Sequence, residues 1–407
     1  MSAGTAGGGR RDLTAAMAVT VACAAPVFLV GAVAVQIRHS LHFGAGALGT
    51  VIALYYLGAG LSSVALGRLV ETVGGWLTMR AACVASGTVL LLIAAVARSV
   101  GTLAVLLVAG GVSSAAVQPA SNLFLSRRMP PGRQGLAFGI KQSAVPLTTS
   151  LAGLAVPVFA LTVGWRWAFV VAGALAATVG AVLPAWAPRP TAGRRQRPAG
   201  SRADRRGQGV LWVLAGGFGL GLAAASAMTA FLVSSSVASG MSHGRAGLLV
   251  TAGGLAAVGG RVVSGRLADR RGGDHLPTVA VMLGVGAGAF LLLALVTAHR
   301  LTAFYLPVVL LVFGVGWGWN GLFNFAVVSD HPTQPAWATG VTQTGGRFGG
   351  VVGPFLFGQV VSHASYAWGW TAAGAACLAS AAVLLAGRRA IRRADGAGLT
   401  GPLPEAA

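Results

Sequence analysis

Three of the 29 basic residues, Lys141, Arg261 and Arg347, stand inside long uncharged stretches. None of the eight acidic residues (Asp12, Glu71, Asp204, Asp269, Asp274, Asp330, Asp395 and Glu405) falls within those stretches to neutralise them. Arg347, in Gly345-Gly346-Arg347-Phe348-Gly349-Gly350, is the deepest, about ten residues or roughly 15 Å along a helix. A guanidinium keeps its proton, so its charge has to be met by water, amides, carbonyls or an anion that comes and goes. Two readings follow. Either Arg347 receives a carboxylate- or phosphate-like ligand, or helix-end carbonyls and the amides of Gln142 or Gln343 hold it beside a bend at Gly353-Pro354. Lys141 and Arg261 lie one turn inside the ends of their stretches, where a long basic side chain can snorkel to the interface; for Lys141 a substrate role is the other reading.

Two amide pairs have a defined geometry. Gln118 with Asn122, and Asn320 with Asn324, are spaced i,i+4 and so share a helix face. Such amides bind polar solutes without charge preference, or they join helices to one another. The remaining candidates are weaker. Cys23, Cys83 and Cys377 stand far apart with no metal-ligand spacing, and His39 and His42 have no evident third ligand, so neither metal nor cofactor is expected. No stretch combines a nucleophile, base and acid in the array an enzyme needs.

These residues are set in a chain of 407 residues, 55% hydrophobic and 9% charged. Soluble domains carry about a quarter charged residues, so a water-soluble protein is excluded. A helix needs roughly 20 apolar residues to cross the hydrocarbon, and twelve such runs recur: 13–37, 46–66, 77–97, 101–125, 137–161, 167–187, 210–234, 245–265, 276–297, 303–327, 337–361 and 367–387. The first is too long for a cleaved signal peptide, and a barrel would show alternating ten-residue segments instead. The expected fold is an all-α membrane protein in which 62 glycines let helices approach closely.

With twelve spans both termini share a side. Of the 29 Lys and Arg, 21 fall on that side, five (Arg38, Arg98, Arg166, Arg245, Arg300) opposite, and three within spans. Basic flanks are retained in the cytoplasm, so the net charge of +21 reads as an orientation signal with an attraction to anionic lipid, not as a nucleic-acid surface. The expected organisation is a cytoplasmic N-terminus (1–12), a six-helix bundle (13–187), a Pro-, Gly- and Arg-rich cytoplasmic linker (188–209), a second bundle (210–387) and a cytoplasmic tail (388–407).

The halves repeat. Gly67-Arg68-Leu69-Val70-Glu71-Thr72-Val73-Gly74 after the second span matches Gly265-Arg266-Leu267-Ala268-Asp269-Arg270-Arg271-Gly272 after the eighth at a shift of 198. Gly139-Ile140-Lys141-Gln142 matches Gly340-Val341-Thr342-Gln343 at 201, and the amide pairs match at 202. Two pseudo-symmetric six-helix bundles with a site between them follow.

On these motifs the chain resembles the major facilitator superfamily over essentially its full length. The loop signature of that family, a Gly, an acidic residue four positions on, then a basic residue and a Gly, is met by Gly265, Asp269, Arg270 and Gly272. The first copy keeps Gly67, Glu71 and Gly74 but has Thr72 in the basic place. The resemblance implies a secondary transporter working by alternating access, with the loops as gates and with the amide-bearing fourth and tenth spans lining the cavity. The string Gly260-Arg261-Val262-Val263-Ser264-Gly265 is similar to the eighth span of oxalate and monocarboxylate carriers, which implies Arg261 as a second anion contact. Drug–proton antiporters of the superfamily carry an arginine in the fourth span; 101–125 has none. The expectation is a monomeric plasma-membrane carrier of a small organic anion, with or without a coupling ion. A drug or secondary-metabolite efflux pump, and a non-transporting membrane receptor, are the alternatives.

Overall fold

The computed structural model describes residues 3–117, 120, 139–182, 203–271, 273–330 and 335–398. The first half holds α1 (Ala3–Ala32), α2 (Ala34–Leu41), α3 (Ala45–Val73), α4 (Gly75–Val96), α5 (Val100–Ala115), α6 (Ala144–Ala155) and α7 (Trp165–Val182). The second holds α8 (Ala203–Ala238), α9 (His243–Arg271), α10 (Leu276–Ala298), α11 (Tyr305–Gly314), α12 (Trp319–Asp330), α13 (Pro335–His363) and α14 (Tyr366–Gly398). Among the described residues there is no strand.

These helices make up twelve spans in two bundles of six. Ten are long and apolar enough by composition alone. The fourth is represented by α5, a shorter apolar helix of 16 residues. The eleventh, α13, has the length, 29 residues, but carries Arg347, Gln343, three threonines and many glycines that lower its hydropathy. Leu61, Val105, Leu175, Val182 and Phe348 are more than 60% exposed, the outward apolar surface that lipid covers.

Helices outrun the apolar windows at three places. Three predicted extramembrane segments are partly helical: α1 begins at Ala3, α8 starts at Ala203 inside the linker 188–209, and α14 continues to Gly398 inside the tail 388–407. Hydropathy marks where lipid ends, whereas Ala and Arg continue a helix well beyond it. The repeat is visible in the backbone: after α3 and after α9 the chain turns through a left-handed glycine, Gly74 (φ 92°) and Gly273 (φ 77°). On the side away from the termini the connectors are minimal, only 42–44, 97–99, 161–164, 239–242, 299–301 and 364–365.

Proline positions shape the interior. Pro26 inside α1 has no N–H for the carbonyl of Ala22, four residues back, and Ser86 of α4 donates to that carbonyl at 3.0 Å. Pro157 opens a π-helical turn, Val156–Ala160, at the end of α6. Between the halves, close approach depends on glycine: a Cβ at Gly31 would lie 2.6 Å from Thr229 O, and one at Gly49 2.2 Å from Pro354 O.

Candidate central binding cavity

A cavity of about 180 Å³ lies between the two bundles. Its first-half wall comes from α1 (Thr20, Ala24, Phe28), α3 (Tyr55, Tyr56, Ala59), and Ser114, Val117 and Gln142. The second-half wall comes from α8 (Phe218, Leu222, Ser226), Arg261, Trp317, Asn320, Gln343 and Arg347. Five of the nine residues singled out as substrate contacts therefore meet here. Gln118 and Asn122 lie outside the described residues.

The amides form a chain across the halves. Gln142 Nε2 donates to Asn320 Oδ1 at 3.0 Å, Asn324 Nδ2 donates to Asn320 Oδ1 at 3.1 Å, and Gln343 Nε2 donates to Asn324 Oδ1 at 3.0 Å. Gln142 and Gln343 are repeat equivalents, so the two halves deliver matching glutamines to one asparagine pair. The i,i+4 face of Asn320 and Asn324 is realised: Asn320 lines the cavity, and Asn324 joins it to Gln343 of α13.

Arg261 does not snorkel. It is 2% exposed. Pro146 has no N–H to give the carbonyl of Gln142, four residues back, and Arg261 Nη1 supplies the missing donor across the halves. Arg261 Nη2 reaches Trp317 O at 3.5 Å, and the guanidinium carbon stands 4.9 Å above the Trp317 ring. Arg347 faces the cavity, half-buried, and its Nη1 donates to Ala59 O of α3 at 2.9 Å. The amides of Gln142 and Gln343 bond to asparagines rather than to Arg347. Lys141 is 3% exposed, so snorkelling is ruled out for it too, and it is not among the residues that line the cavity. Both basic residues at span ends are turned inward because depth along a helix says nothing about which face a residue occupies.

The sequence reading missed Trp317. The tenth span is interrupted: α11 ends at Gly314, 315–318 form a turn, and α12 begins at Trp319. Val315 and Gly316 both donate to Leu311 O, at 3.0 and 3.3 Å, and Trp319 Nε1 donates to Gly316 O at 2.9 Å. The break is possible because α9 and α10 press on it through glycines: a Cβ at Gly260 would lie 2.0 Å from Gly314 O, and one at Gly286 2.7 Å from the Gly316 Cα. The alternation Gly314-Val315-Gly316-Trp317-Gly318 was the available signal.

The predicted gate residues occupy helix ends. Gly67 and Glu71 lie in the last two turns of α3; Gly265, Asp269 and Arg270 lie in the last two of α9, with Asp269 half-buried. Gly272 lies outside the described residues. Next to this loop Asp274 pairs with Arg388 at 2.5 Å and Arg392 at 3.5 Å, within the second half.

Two bundles of six helices around a shared cavity are the build of a solute carrier. Residues 15–354 match the Major Facilitator Superfamily, and the chain belongs to that family of membrane transporters. An uncharacterized MFS-type transporter of Mycobacterium tuberculosis (strain CDC 1551 / Oshkosh) is 29% identical over 322 residues, 77% of this chain and 68% of that one. Its counterpart in a second strain of the species matches to the same extent. Among solved structures, the fold is similar to a bacterial homolog to the human lysosomal transporter Spinster. In its inward-facing and occupied conformation the TM-score is 0.67 over 97% of this chain and 98% of that one; in the unoccupied conformation it is 0.69 over 100% of each. Both are 15% identical.

Proposed function

We propose that the protein carries a small organic anion across the plasma membrane as a monomer, its bundles rocking about the central cavity with both termini cytoplasmic. The observation that carries this reading is the charge of the cavity wall. Arg261 and Arg347 both line it, and among its described lining residues there is no carboxylate. Two permanent cations facing one space inside a membrane protein call for a negative counterpart. The volume points the same way, since about 180 Å³ is below the roughly 300–1,000 Å³ of sites for drug-sized ligands. In this reading the amide chain orients the solute, and Asp269 with Arg270 closes the terminus-side gate in the alternate state.

The test is uptake of radiolabelled carboxylates into proteoliposomes by the wild type and Arg347→Gln. Loss of uptake in the variant is expected; undiminished anion uptake overturns the reading. Efflux of an amphipathic drug is the second reading, supported by the apolar and aromatic share of the wall, Phe28, Phe218, Leu222 and Tyr55 among it. It requires transport of a lipophilic cation that Arg347→Gln leaves intact.

A further inference from the structure

The interrupted tenth span holds two unused donors side by side. Trp317 Nε1 and Arg261 Nε are both buried and have no hydrogen-bond partner, although the two side chains stack on each other and both line the cavity. Everything around the indole is arranged to hold it in place. Phe313 meets its ring edge-on at 5.6 Å, Phe28 of the opposite bundle stands 6.5 Å away, and the glycine-dependent turn fixes its backbone. Arg261 spends its other two nitrogens on the carbonyls of Gln142 and Trp317, which leaves Nε for something else. A buried donor without an acceptor is a rarity in folded proteins, and these two belong to side chains that line the cavity while the nitrogens themselves are closed off from it in this state, so they point to an acceptor admitted from the cavity when the halves move.

We infer that Trp317 is a substrate-binding and specificity-determining residue: its indole N–H and the Arg261 Nε–H together take the oxygens of the transported anion's carboxylate. This rests on the anion reading and sharpens it. A guanidinium alone attracts any anion, whereas an indole N–H rewards only an acceptor atom placed at the ring edge, so the pair selects oxyanions over halides. Phe28 ties the subsite to the opposite bundle, so a carboxylate that fills it also bears on the contact between the halves.

The experiment is carboxylate binding by the purified full-length protein, with acetate, oxalate, succinate and benzoate as probes and chloride and tetraphenylphosphonium as controls, read by ligand-dependent thermal shift. Trp317→Phe keeps the ring and removes only the N–H. Carboxylate affinity falling about tenfold in this variant, with chloride unaffected, is the expected result, because a hydrogen bond to a charged acceptor is lost. Equal carboxylate binding by both proteins overturns the inference and leaves the anion reading standing. Stabilisation of the wild type by tetraphenylphosphonium and by no carboxylate overturns both. Should the variant not fold, the indole region of a ¹H–¹⁵N spectrum of the wild type decides: one of the ten tryptophan resonances moves downfield with a carboxylate and not with chloride, and no such movement sinks the assignment.

Discussion

The two bundles meet along two lateral seams, and each is crossed by one arginine that reaches from the second half to a backbone carbonyl of the first. In the seam of α6 with α9, Arg261 donates to Gln142 O, Ser150 Oγ donates to Thr251 O at 3.1 Å, and Thr251 Oγ1 donates to Ser150 O at 3.1 Å. In the seam of α3 with α13, the approach is made by glycine against backbone at Gly49 and Gly358, and the one polar crossing described above is Arg347 to Ala59 O. The difference lies in what each carbonyl would do without its arginine. Gln142 O has been deprived of its helical donor by Pro146, so Arg261 repairs a defect. Ala59 lies within an unbroken stretch of α3, its carbonyl already accepting from Ser63 Oγ, so Arg347 adds a bond that the helix does not require. A charge that completes the backbone has a structural duty, whereas one bonded to an already satisfied carbonyl can, in the anion reading proposed above, exchange it for a solute.

That contrast breaks most visibly at Arg261. Arg261→Met is expected to abolish anion uptake and to destabilise the protein by about 1–3 kcal/mol, because a buried carbonyl loses its donor. Adding Pro146→Ala, which returns the helical N–H, should restore the thermal midpoint without restoring uptake; a midpoint that stays low would show that the guanidinium does not serve the carbonyl. Arg347→Gln is the counterpart. It should lower carboxylate uptake by roughly 10- to 100-fold, the range for a lost charge-assisted bond, while its thermal midpoint stays within the error of the wild type. A large drop in midpoint would place Arg347 with Arg261. Gln142→Ala removes the amide bridge to Asn320 and keeps the carbonyl, so a loss of about 1 kcal/mol is expected in denaturant or thermal unfolding. The smallest effect belongs to Ser150→Ala combined with Thr251→Val: each removes one hydroxyl donor of a reciprocal pair, and about 0.5–1 kcal/mol each, additive only in part, is expected.

The spans and the repeat were legible in the sequence because lipid imposes a composition over some 20 residues and duplication leaves matching motifs at one offset. The convergence of Gln142 and Gln343 on Asn320 and Asn324 was half legible. Equivalent positions were paired in the sequence, but which residues would bond across the halves depends on helix rotation and tilt. The backbone partner of Arg261 was hidden for the same reason. The distance of that arginine from the span end suggested snorkelling, while the carbonyl it serves is orphaned by a proline in a different bundle, 115 positions earlier in the chain. Pro146 and Arg261 are each visible, but their partnership exists only in three dimensions. Trp317 escaped because a run of alternating glycines in an apolar segment reads equally as tight packing and as a break, and only the contacts of Gly260 and Gly286 decide between them.

The connectors of two to four residues away from the termini leave nothing on that face that could fold down as a cover. Admission there has to be controlled by the tilting of whole rods, and an antibody or protease meets only a thin rim. Probes of that face are best built as single cysteines on the rod tips, near His42 or Arg300, where the chain already turns with positive φ.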